Sequence, residues 1–90
     1  MKICRISKDV VLRRYGNILL GYFISDPRMR YFTIEGIALQ VIDALYEEKT
    51  DKMLKTEFEE RGITEREFQI ELNKLVTLSI VEVTEYDKSE

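Results

Sequence analysis

Hydrophobic positions follow two different periods along this chain, a short one in the first third and a helical one afterwards. Residues 10–13 read as a strand, two valines and a leucine ended by the polar tip Arg14, Tyr15, Gly16 and Asn17. Gly16 and Asn17 both tolerate positive φ, which makes them a two-residue hairpin turn. Residues 18–24 are apolar except for Gly21 and rich in β-branched and aromatic side chains, the composition of a central strand covered on more than one side. Ser25, Asp26 and Pro27 stop that strand, because Asp and Pro form turns and Pro cannot donate to a ladder. A third strand is expected over residues 29–32, with Met29, Tyr31 and Thr33 on one side and Arg30 and Phe32 on the other. Residues 1–9 carry only a weak extended signal, that of a leading arm.

From residue 33 the period changes to 3.6. Thr33 is a good helix N-cap, and Ile34, Ile37, Ala38, Val41, Ile42 and Leu45 then form one apolar stripe, opposed by Glu35, Gln40, Asp43 and Glu47. After a polar break, Thr50 or Asp51 caps a second helix over residues 52–61 that buries Met53, Leu54 and Phe58, with Gly62 past its end. Thr64 followed by Glu67 is a capping-box pattern. It opens a third helix over residues 65–76, whose stripe of Phe68, Leu72 and Leu75 continues to Leu78 or Ser79. Residues 80–83 return as a short extended segment, and residues 84–90 form an acidic tail expected to fray. This order predicts an α+β, winged-helix-like domain with an N-terminal three-stranded antiparallel sheet, three helices and a short C-terminal extended segment.

Length and composition narrow the picture. Ninety residues, 44% hydrophobic and 34% charged, suit a single domain spanning residues 1–90 with its core at about 6–83. No stretch approaches the roughly 18 consecutive apolar residues that span a membrane. Charges interrupt every apolar run at the start of the chain, so the pattern lacks the apolar middle of a secretory signal and a cytoplasmic location is expected. Cys4 is the sole cysteine and there is no His, which leaves no disulfide, no thiolate cluster and no imidazole base or ligand; neither metal nor cofactor is expected. A net charge of −3 argues against nucleic acid as a partner.

Catalysis finds little support. The carboxylates lie on helix surfaces facing water, and paired acids need a partly dry pocket to separate their pKa values. No glycine-rich phosphate loop or nucleophile elbow is present, so the chain is expected not to be an enzyme. Binding is better supported. The strand next to the helices is expected to be a sheet edge on which an extended peptide adds, with Arg28, Met29, Arg30, Tyr31, Phe32 and Thr33 at that edge. Edge cations such as Arg28 and Arg30 also protect against aggregation. Beside the core stripe of the third helix runs a strip of Glu67, Ile70, Glu71 and Lys74, in which Ile70 is an apolar residue among charges, as the wall of a peptide groove would be.

This order of elements resembles the PqqD-like peptide-recognition domains, also called RiPP recognition elements, over residues 6–83. The family pattern is a strand ending in an aromatic, a Leu-Asn-like pair, small residues and an Ile-Trp-x-Leu-Leu-like helix. Tyr31-Phe32, Ile34-Glu35, Ala38-Leu39 and residues 41–45 stand there, and Phe68, Leu72, Leu75 and Ser79-Ile80-Val81 are similar to the later helix and its Gly-Leu-Val close. Glu35, Ile42 and Ser79 depart from the Asn, Trp and Gly of that pattern. The resemblance implies that a precursor's leader peptide adds antiparallel to the third strand and lies against the third helix. It further implies delivery to a separate maturation enzyme, either the leader peptidase or cyclase of a lasso-peptide pathway or, as in stand-alone PqqD-type chaperones, a radical SAM enzyme. The competing readings are a winged-helix DNA-binding domain, whose recognition helix would carry three acids against two bases, and a homodimer built on the same edge; monomer and homodimer both stay open.

Overall fold

The computed structural model describes residues 2–85. Strands β1 (Lys2–Ile6), β2 (Val10–Tyr15), β3 (Ile18–Phe23) and β4 (Tyr31–Ile34) precede α1 (Ile37–Ala44), β5 (Lys49–Thr50), α2 (Asp51–Glu60), α3 (Glu65–Thr77) and β6 (Val81–Glu85). They form two antiparallel sheets, ordered β2-β3-β4 and β5-β1-β6. The fold is therefore α+β with a three-stranded meander ahead of three helices, as expected. Its likeness to a winged helix is loose and lies in the order of the helices. Among the described residues no helix is long and apolar enough to cross a membrane.

The meander forms where turn chemistry dictates. Gly16 takes φ +61 in the two-residue turn, which places Tyr15 opposite Ile18 and Val10 opposite Phe23. That register lines up Leu12, Gly21 and Phe32 in one row and Arg14, Leu19 and Ile34 in another, both on the inner face. Leu19 and Ile34 are buried in the common core.

Several boundaries differ from the sequence reading. Residues 1–9 are not an arm: Lys2–Ile6 is the central strand of the second sheet, paired with β6 from Lys2–Glu85 to Ile6–Val81. Thr84 and Glu85 accordingly belong to a strand rather than a fraying tail, and residues 86–90 lie outside the described residues. The third strand starts two residues later than expected, because Met29 adopts φ +50 in a turn closed by its N–H donating to the Asp26 carbonyl. Thr33 is not a helix cap. It pairs with Leu20, and Ile34 pairs with Leu19, so the sheet claims both residues. α1 begins only after Gly36, whose φ of +69 breaks the path from strand to helix.

The other helix ends follow their caps. The Thr50 hydroxyl accepts from the Met53 N–H, and Thr64 and Glu67 complete the capping box. Thr50 sets the phase of α2 so that Leu54 and Phe58, four apart, are fully buried. Met53 is about 100° out of that phase and is 56% exposed instead of buried. α3 closes in a Schellman turn: Ser79 N–H donates to the Val76 carbonyl and Ile80 N–H to that of Leu75. Ser79 takes φ +65 there, so Leu78 is turned outward and Ile80 is buried against Leu75. The core joins these layers through Phe58 and Phe68, 5.1 Å apart, with Val41, Ile80, Val81 and Cys4. Fully burying a side chain such as Leu54 contributes about 1.5–3 kcal/mol.

Candidate functional site

The candidate edge is built from a turn and a strand. The Asp26 carboxylate organises the turn, accepting from the backbone N–H of Arg28 at 3.0 Å, that of Arg30 at 3.3 Å and Arg30 Nε at 3.1 Å. The Arg28 N–H first, and then Arg30, holds this carboxyl below the usual aspartate range. Arg28, Met29 and Arg30 thus belong to an Asp-centred loop leading into the strand and are not strand residues. Tyr31, Phe32 and Thr33 are in β4, whose only strand neighbour among the described residues is β3. In an antiparallel ladder, alternate residues of an edge strand direct both main-chain groups away from the sheet, so β4 offers an unpaired row to a further strand. Phe32 points inward against Phe23, ring centroids 5.4 Å apart. Tyr31 points outward, 62% exposed, and meets Tyr22 edge-to-face.

On α3 the four expected wall residues divide. Ile70 and Lys74 line a largely apolar hollow of about 490 Å³ together with Asn73, Thr77 and Leu78. Glu67 does not; its Oε1 accepts from the N–H and hydroxyl of Thr64 and is committed to the cap. Glu71 is half-buried and accepts from Lys74 Nζ at 3.4 Å, orienting that cation beside the hollow. A second hollow, of about 480 Å³, brings Arg30 and Asp26 together with Phe23, Ser25, Leu78 and Ser79. Leu78 belongs to both, so the approach to β4 and the face of α3 meet at the C-terminal end of that helix.

Sequence reasoning missed Leu78, Thr77 and Asn73. The signal was present for Leu78, which lies eight residues from Ile70 and four from Lys74 on one helix face. It was hidden by assigning Leu78 to the core stripe, which the Schellman turn passes to Ile80. Asp26 was read only as a strand terminator, although Asx-type bonding to the following N–H groups is what such a residue does in a turn. The structure gives this edge three cations, with Arg30 and Lys74 in ion pairs and the Arg28 side chain in none among the described residues. Comparison with known proteins finds no family model, no curated protein and no solved structure that matches the chain.

Proposed function

We propose that the chain is a non-catalytic, cytoplasmic adaptor that binds the leader segment of a ribosomally synthesised precursor peptide and presents it to a separate maturation enzyme, the leader peptidase or cyclase of a lasso-peptide pathway. The leader adds as an antiparallel strand to β4. The observation that carries this reading is the conjunction of an edge strand with two hollows that meet at Leu78. Main-chain bonds to β4 supply affinity without sequence preference, and side-chain pockets supply selection. An apolar leader residue fits over Ile70 and Leu78, and a leader carboxylate is matched by Arg28 and Lys74. Four strand residues and one apolar anchor correspond to affinities from micromolar to nanomolar, depending on how far the leader is preorganised.

Isothermal titration with synthetic leader peptides from neighbouring open reading frames tests this. Wild-type protein should bind one of them. Ile70→Asp and Lys74→Glu should weaken that binding about tenfold or more, as truncating interface anchors does, while the melting temperature barely moves. Absence of binding to every leader, or equal binding by both variants, would refute the assignment.

A further inference from the structure

The two faces of the β2-β3-β4 sheet should differ. An antiparallel sheet with one face on the core normally turns polar residues to water. Here Leu12, Phe23 and Phe32 pack against the core from one face, with Leu19 and Ile34 inside it. By alternation, the opposite face carries the rows Val11–Tyr22–Tyr31, Arg13–Leu20–Thr33 and Tyr15–Ile18. Six of those eight residues are apolar or aromatic. None of the six belongs to the core or packs against it among the described residues. Val11, Ile18, Leu20 and Tyr22 are half-buried, while Tyr15 and Tyr31 are exposed. The composition of β3 is that of a strand covered on both faces, yet this fold covers one.

Charge indicates what covers the other. Between residues 8 and 33 stand five bases and two acids, whereas residues 34–85 carry thirteen acids and six bases. Of the five bases, Arg14 is held by Asp43 and Arg30 by Asp26. Lys8, Arg13 and Arg28 have no ion pair among the described residues, and Arg13 stands in the patch itself, beside Leu20. Two copies face to face would bring these cations together. Single-stranded nucleic acid would want flat aromatic platforms, but Tyr22 and Tyr31 meet at 69°, edge against face, and the remainder of the molecule is acidic.

We infer that this outer face is a second docking surface, for the enzyme that receives the captured peptide, engaged through an apolar patch on that enzyme bordered by carboxylates. The choice of that enzyme as occupant rests on the function proposed above; the uncovered apolar face and its unpaired cations do not. Leu20 and Tyr22 form the anchor, and Arg13 beside Leu20 supplies the charge. A guest strand on β4 extends this face, since alternate guest side chains project on the side of Tyr31 and Thr33. The enzyme therefore meets peptide and adaptor as one surface.

The test titrates the purified chain with the leader peptidase and the cyclase encoded beside it, with and without leader. One of the two should bind. Leu20→Asp should weaken that binding about 30-fold or more, the loss expected of an interface anchor. Arg13→Glu should weaken it about tenfold and flatten its salt dependence, and Arg13→Lys should retain most of it. Leader affinity, measured without enzyme, should stay within about twofold of wild type in all three variants. Retention of enzyme binding by both Leu20→Asp and Arg13→Glu would overturn the inference, as would failure of both enzymes to bind wild type. So would a dimer in sedimentation that Leu20→Asp dissolves, or binding of labelled oligo-dT that Arg13→Glu abolishes. Loss of leader binding in the wild-type protein would instead defeat the assignment of β4, and it is read in a separate titration.

Discussion

Gly21→Ala tests the packing that positions β4. Gly21 lies between Leu12 on β2 and Phe32 on β4, and a Cβ there would come within 2.7 Å of Leu12 Cδ2 and of Phe32 Cε1 and Cζ. Carbon atoms prefer separations of about 3.5–4 Å, so each neighbour must retreat by about 1 Å. Leu12 can swing at the end of its flexible side chain. The Phe32 ring is stiffer and packs against Phe23, ring centroids 5.4 Å apart, so its retreat disturbs that contact as well. Overpacking of this kind costs about 1–3 kcal/mol, and the reduced freedom of the unfolded chain returns about 0.4–1, which leaves a net loss centred at about 1.3 kcal/mol. With a urea m-value of about 1 kcal/mol/M for a chain of this size, the unfolding midpoint should fall by about 1 M. Because Phe32 belongs to the candidate edge, leader affinity should fall under conditions where the variant is still fully folded. A midpoint equal to or above that of wild type would show that Leu12 and Phe32 repack without cost, and would refute the reasoning.

Thr64→Ala removes the acceptor for the Glu67 N–H and should cost about 1 kcal/mol in chemical denaturation, with α3 fraying first in hydrogen exchange. Ser79→Gly relieves a serine held at φ +65 and should raise stability by about 0.5–1 kcal/mol; a decrease would show that the Schellman turn does not carry this strain. The Asp26 carboxyl, held low chiefly by the Arg28 N–H, should titrate by NMR below an ordinary aspartate. Since its folded pKa is depressed, its stabilisation is complete above the ordinary carboxylate value and is lost as pH falls through the folded one, so the turn at residues 26–30 should loosen in acid. Burial, and then the Asp51 charge, pushes the Cys4 thiol up, so iodoacetamide should label it at neutral pH only when urea unfolds the chain.

What the sequence revealed depended on how far apart interacting residues lie. The Gly16-Asn17 turn, the Thr50 cap and the Thr64-Glu67 box are signals contained within four residues, and all stand where expected. The strand Lys2–Ile6 was hard to see because its main partner lies some 75–83 residues away in Val81–Glu85, and five residues of mixed polarity announce nothing alone. Thr33 was assigned to the wrong element because an N-cap and a strand residue share the same extended backbone. Gly36 and the burial of Ile34 beside Leu19 decided between them. At the candidate site, the edge and Ile70 were legible as pattern. Glu67 was legible as a cap residue and as a wall residue, and the structure engages its Oε1 in the cap, while the uncovered outer face was visible only as a β3 more apolar than its surroundings require.

The pairing of β1 with β6 sets an order on assembly. The β2-β3 hairpin closes over two residues and can form as soon as it leaves the ribosome, whereas Lys2–Ile6 must wait for Val81–Glu85, which follows it by some 75–83 residues. Until Val81–Glu85 emerges, Lys2–Ile6 has only the two residues Lys49–Thr50 beside it, and Cys4 lacks the neighbour Val83 that completes its side of the sheet. The nascent chain therefore displays its meander, β4 included, before its second sheet exists, and cooperativity arrives with β6.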